Sequence, residues 1–119
     1  MKALSIRQPW ASMIILGHKP VENRNWQCKH RGALLIHASK NWDQDGADWI
    51  TYRFPKLEKE VLKSKYQRGG IIGSVVMTAC MPRFNSPWFF GKWGFVFIDP
   101  KPLEFRPYPG QLNIFEVPA

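Results

Sequence analysis

The sequence predicts an α+β fold: a small, partly open β-barrel of five or six strands decorated by two or three helices. Three observations predict it. Short β-branched and aromatic runs recur along the 119 residues, separated by Pro/Gly turn signals. Glycines stand at the likely corners of those runs. Only three stretches carry a helical pattern, and all are short.

The elements follow in order. Ala3 to Ile6 is a short apolar first strand. Pro9 suits the first turn of a helix, where its missing N–H costs nothing. Trp10, Met13, Ile14 and Leu16 give the Pro9–Leu16 helix an apolar face. At about two turns it depends on tertiary packing. Gly17 stands where a left-handed cap belongs. Pro20 blocks helix continuation and biases Lys19 to an extended backbone. Val21 to Trp26 reads as a strand with Glu22, Arg24 and Trp26 on one face and Val21, Asn23 and Asn25 on the other. Polar residues on both faces fit a strand at the lip of a cavity.

"GALLIHAS", from Gly32, is a near-continuous apolar strand. Asn41 to Tyr52 opens a capped helix; its "NWDQDGADW" lacks the distal Glu of a calcium loop. Phe54 to Tyr66 is a helix with Phe54, Leu57 and Val61 on one face. Lys56, Lys59 and Lys63 stripe the other, as solvated charge or as an RNA backbone contact. "IIGSVVMTACM" is a strand in which Gly73 marks a bulge or bend. "RFNSPWFFGKWG" is an aromatic loop. "FVFIDPKPL" is a strand fraying at Pro100 and Pro102, "RPYPGQ" is a turn, and "LNIFEV" is the last strand. The length and the lack of repeats or linkers suggest one domain over residues 1–119.

Composition narrows the function. Seventeen Lys and Arg against nine Asp and Glu give +8, an excess that favours polyanionic partners. No apolar run nears the roughly 20 residues that cross a bilayer, and the Trp10–Leu16 run lacks a cleavage-site pattern. We therefore expect no membrane association and a cytoplasmic location. Two cysteines, Cys28 and Cys80, make no disulfide framework. Cys28 and His30 fall short of the four ligands of a structural zinc site. His37 and Ser39 share a strand face but lack the third member and the elbow of a hydrolase triad.

"GHKPVENR" has the form G-x-K-x-x-E-x-R, with Gly17, Lys19, Glu22 and Arg24 at the four positions. With "LSIRQPWA" before it, and "RGALLIHASK", "RGGIIGSV", "SPWFFG", "RPYPGQ" and "LNIFEV" after it, the chain resembles the ASCH domains of the PUA-like superfamily across nearly its whole length. The resemblance implies a PUA-like barrel with a helix-lined cleft and an RNA-related function. The expected partner is RNA or a nucleotide.

Relatives in that superfamily also include hydrolases. One type cleaves single-stranded RNA with a divalent metal, and another hydrolyses the amide of N4-acetylcytidine. The amidohydrolase reading ranks below the ribonuclease here, because Glu22 stands where those enzymes carry a nucleophilic Thr. In either hydrolase Lys19 and Glu22 are the catalytic candidates. No cofactor is implied beyond that divalent metal, and no residue is assigned to hold it.

The candidate ligand-binding set is Arg7, Gln8, Trp10, Lys19, Glu22, Arg24, Trp88 and Gln111. Lys19 meets a phosphate, or acts as a base if desolvated by Trp10 or Trp26. Glu22 accepts from a base amino group or a 2′-hydroxyl. Arg24 holds a phosphate bidentately or orients Glu22. Arg7, Gln8 and Trp10 surround the start of the first helix. Trp88, with Phe89 and Phe90, stacks a base or belongs to the core. Gln111 and Asn113 read a base edge or bond within their turn. An exposed internal salt bridge among Lys19, Glu22 and Arg24 is the competing reading.

Overall fold

The computed structural model describes residues 1–118. Six strands form one sheet: β1 (Lys2–Gln8), β2 (Val21–Arg24), β3 (Gly32–Trp42), β4 (Gly70–Met81), β5 (Trp93–Pro107) and β6 (Ile114–Glu116). Three helices accompany it: α1 (Trp10–Ile15), α2 (Gln44–Arg53) and α3 (Glu58–Ser64), the last entered through a 3-10 turn at Pro55–Leu57. The strand order is β2-β5-β4-β3-β1-β6. β1 runs parallel to β3, and the other neighbours are antiparallel.

The sheet has two ends, so no ladder closes the barrel, yet it curls strongly. Three strands separate β2 from β1 in the order. In a flat sheet four spacings would hold them ~19 Å apart. Instead Arg24 Nη2 on β2 donates to the carbonyl of Ser5 on β1 at 2.9 Å. A side chain thus bridges the seam that backbone pairing leaves open.

Each helix is local sequence plus packing. α1 has only six residues, and five of them are buried. Its core face sets Ile14 and Ile15 among Leu4, Ile6, Leu34, Ile36, Ile72, Val75, Met77, Phe95 and Phe97. Pro9 occupies the cap position, so the helix starts at Trp10, one residue later than expected. Gly17, at φ +87°, turns the chain left-handed. The amides of His18 and Lys19 then both reach back to Met13 O at 3.0 Å. Asp43 caps α2, its carboxylate accepting from Gly46 N at 2.9 Å. Under α2 and α3 lies a second cluster of Met13, Val21, Ala47, Ile50, Val61 and Trp88, edged by Trp10, Trp49, Phe54 and Leu57.

Three expectations about elements are corrected. The helix expected over Phe54–Tyr66 begins only at Glu58, because Phe54 is non-helical (φ −134°, ψ 73°) and a 3-10 turn follows it. β2 ends at Arg24 rather than Trp26. β5 does not fray at Pro100 and Pro102 but continues to Pro107. Its second neighbour, β2, pairs only with residues 93–96, so these prolines stand along an edge free of that partner. Gly73 does mark an irregularity, since the β4 register shifts beside it against both β3 and β5. A Cβ there would lie 2.6 Å from Lys101 O and from Ile15 Cδ1.

Candidate functional site

The open seam also forms a concavity. A cavity of about 700 Å³ is lined by β1 (Ser5, Ile6, Arg7), Trp10, the Lys19–Trp26 segment, Ser39, Asp43 and the 111–113 turn. The turn at Gly17 brings β2 back beside the start of α1. Lys19, Glu22 and Arg24 therefore face the same space as Arg7 and Trp10.

The signature residues form a buried chain of charge. Lys19, only 2 % exposed, donates to Glu22 Oε1 at 2.8 Å and to the carbonyl of Val21. Its ammonium also lies 5.5 Å from the centre of the Trp10 ring. Glu22, 8 % exposed, accepts on Oε2 from Arg24 Nε at 3.2 Å and lies 3.1 Å from Arg24 Nη2. The pairing is real, but it is not the exposed and weak salt bridge of the competing reading. Among the described residues no buried side-chain nitrogen or oxygen lacks a hydrogen bond.

Electrostatics follow from this geometry. Burial pushes the Glu22 carboxyl up, but Lys19 and Arg24 together outweigh it and hold it below the usual carboxylate range. Burial lowers the Lys19 ammonium, against the raising pull of Glu22. Glu22 is therefore an anion shared between two cations. That makes it a good orienting group and a weak base.

The other candidates divide. Arg7 is exposed at the rim and pairs with Asp43 Oδ2 at 3.3 Å. Trp10 walls the cavity and is fixed by its indole Nε1 donating to Asp43 Oδ2 at 2.8 Å. Gln111 lines the cavity from the turn before β6, beside Asn113. Gln8 does not line it. Its side chain is fully buried, accepts from Ser12 N, and donates to Ser12 Oγ and Gln67 O. The alternation of β1 points it to the side opposite Arg7. Trp88 is also a core residue. It is 5 % exposed, stacks on Phe54 with centroids 4.7 Å apart, and sets its ring edge-on to Trp10 and Trp49.

Sequence reasoning missed Asp43 as a site residue. It read the stretch only as a helix start, although a capping carboxylate flanked by Trp42 and Gln44 was the available signal. Ser5 was missed altogether. Asn23 is partly diverted from the cavity, since it ties the 88–90 loop to β2 through Trp88 O and Phe90 N.

Trp10 owes its position to Gly46. A Cβ on Gly46 would sit 2.5 Å from Trp10 Cζ2. Gly46→Ala is expected to lower stability by about 1–3 kcal/mol, overpacking outweighing the gain in helix propensity. It is also expected to alter Trp fluorescence as the indole leaves Asp43. A stabilised variant with unchanged fluorescence would show that Trp10 is not held this way.

The residues suit a divalent cation poorly. Both Glu22 oxygens are engaged by cations, and Asp43 is engaged by Trp10, Gly46 and Arg7. No group of three or more His, Cys, Asp or Glu among the described residues could hold a metal ion. No described helix is long and apolar enough to cross a membrane.

Comparison with known proteins agrees with the architecture. The family model of the ASCH domain matches residues 4–116. Activating signal cointegrator 1 from Homo sapiens is 36% identical over 81 residues, covering 66% of this chain. The Mus musculus protein of the same name is 35% identical over the same length. The matched region is 14% of each of those much longer proteins. The crystal structure of ASCH from Zymomonas mobilis superposes with a TM-score of 0.59 at 13% identity, covering 98% of this chain and 87% of that one. At that identity the likeness establishes the fold. With its signature at the seam of the sheet and the family match running almost end to end, this chain belongs to the ASCH domain family.

Proposed function

We propose that this chain binds RNA or a nucleotide in the seam cavity, with the base between aromatic and amide side chains and the phosphate toward Arg7 and Arg24. The observation that carries the reading is the composition of one cavity. It joins two indoles (Trp10, Trp26), two arginines and the amides of Asn25, Gln111 and Asn113 in about 700 Å³. Small-molecule sites fall in this size range. The buried Lys19–Glu22 pair stiffens the floor and aims Arg24, whose side chain is 24% exposed. The +8 charge supplies the longer-range attraction. The ribonuclease and amidohydrolase readings rank below binding because Glu22 is a poor base and already spoken for.

The test is a titration of single-stranded RNA at several salt concentrations. Trp26→Ala is expected to weaken binding by about 1–3 kcal/mol through lost stacking, and Arg7→Ala to weaken it and flatten the salt dependence. If both variants bind as the wild type does, the cavity is not the site. Lys56, Lys59 and Lys63 are all exposed. Replacing all three with Ala is expected to reduce the slope of log affinity against log salt by about 0.7 for each phosphate no longer neutralised. An unchanged slope would make the stripe plain solvated surface.

A further inference from the structure

Ser5 lines the same cavity, and behind it lies a group of residues that the binding reading does not use. Parallel pairing sets Ser5 on β1 opposite His37 on β3. Ser5 Oγ lies 2.9 Å from His37 Nδ1, and His37 Nε2 lies 2.6 Å from the carbonyl of Tyr108. A carbonyl only accepts, so Nε2 carries the ring proton. In the neutral ring Nδ1 is then the acceptor, and Ser5 Oγ–H donates to it. The imidazole is 1 % exposed, with Phe115 edge-on at 6.0 Å, whereas Ser5 is half-buried and lines the cavity. A hydroxyl facing a cavity, a base behind it and a third group orienting the base is the arrangement of an activated nucleophile.

Two neighbours fit the same use. Arg24 Nη2 donates to Ser5's own backbone carbonyl at 2.9 Å, and both residues line the cavity. Gly110 packs closely against the pair, since a Cβ there would stand 3.1 Å from Ser5 Oγ and 2.9 Å from His37 Cε1, so only glycine leaves the hydrogen bond between them undisturbed.

We propose that Ser5 is an acyl-accepting nucleophile with His37 as its general base, acting on small carboxylic esters that carry an anionic group for Arg7. Ser5 Oγ attacks the ester carbonyl carbon, and its proton passes to His37 Nδ1. The oxyanion develops beside Arg24. The carbon–oxygen bond to the alcohol then breaks, and the alcohol leaves with the proton from Nδ1. Water attacks the acyl-serine, giving its proton to Nδ1. The acid departs and Oγ recovers the proton. The proposal does not depend on nucleic-acid binding, so either can fail alone.

The experiment treats the purified chain with an alkyl fluorophosphonate and reads intact mass, adduct position and rate. One adduct on Ser5 is expected in the wild type and none on Ser5→Ala. His37→Gln retains a donor for Tyr108 O. With its fold verified by circular dichroism, it is expected to label about 10²–10⁴-fold more slowly. A burst of p-nitrophenol from p-nitrophenyl acetate is expected to accompany labelling. A wild type that stays unlabelled, an adduct only on another residue, or a folded His37→Gln that labels at the wild-type rate would each overturn the proposal.

Discussion

Glu22→Gln is expected to destabilise the protein by about 3–5 kcal/mol, because it leaves a buried ammonium facing a neutral amide. Lys19 is only 2 % exposed, so little water can replace the lost carboxylate. For a domain of this size the loss lowers the melting temperature on the order of 10–25 °C. Lys19→Met keeps the length of the side chain, removes the buried cation and leaves Glu22 with Arg24, so it is expected to cost less. The double variant is expected to be more stable than the two single losses added together. Equal losses for Lys19→Met and Glu22→Gln, with additivity, would show that the pair is not coupled as its 2.8 Å separation implies.

The pH dependence has a definite sign. The folded carboxyl of Glu22 is held below its unfolded value, so its contribution is fully present above the ordinary carboxylate range. It is lost as pH falls through the folded value, and acid unfolding of the wild type is expected to be steeper than that of Glu22→Gln. Lys19 is lowered by burial, so its own effect runs at the alkaline end: stability rises with pH between its folded value and the unfolded 10.5. Melting curves across the acid range, comparing the two proteins, check the first of these.

Trp88→Ala is expected to cost about 3–5 kcal/mol, the range for emptying a large aromatic from a core. The indole stacks on Phe54 and meets Trp10 and Trp49 edge-on, so its removal undercuts both α2 and the Trp10 wall of the cavity. The expected signature is a stability loss by urea titration that a conservative Trp88→Phe largely recovers. A Trp88→Ala protein of wild-type stability but weakened RNA affinity would restore Trp88 as a stacking surface and refute its place in the core.

The contrast between Trp88 and Trp26 shows what a sequence can carry. Both are aromatic and both lie close to polar neighbours, yet one is sealed beneath α2 and the other lines the cavity. Nothing in the run "SPWFFG" distinguishes these outcomes, because burial of Trp88 is decided by Phe54, more than thirty residues away. Gln8 and Arg7 divide in the same way. Their alternation along β1 is visible in the sequence, but which side faces the cavity depends on how far the sheet curls.

What the sequence determined by itself is local. The left-handed turn at Gly17, a capped helix within residues 41–52, the bend at Gly73 and the G-x-K-x-x-E-x-R spacing all follow from steric or hydrogen-bonding preferences within a few residues. So do the α+β class and the place of Lys19, Glu22 and Arg24 just after α1. The tertiary structure alone decided the rest: the parallel register that sets Ser5 against His37, the Arg24 bridge across the seam, and the extension of β5 past two prolines. Each joins residues separated by many positions, or depends on which neighbouring strand is missing. A residue's own preferences state how its backbone runs, whereas its partner across a sheet is chosen by the packing of the whole chain.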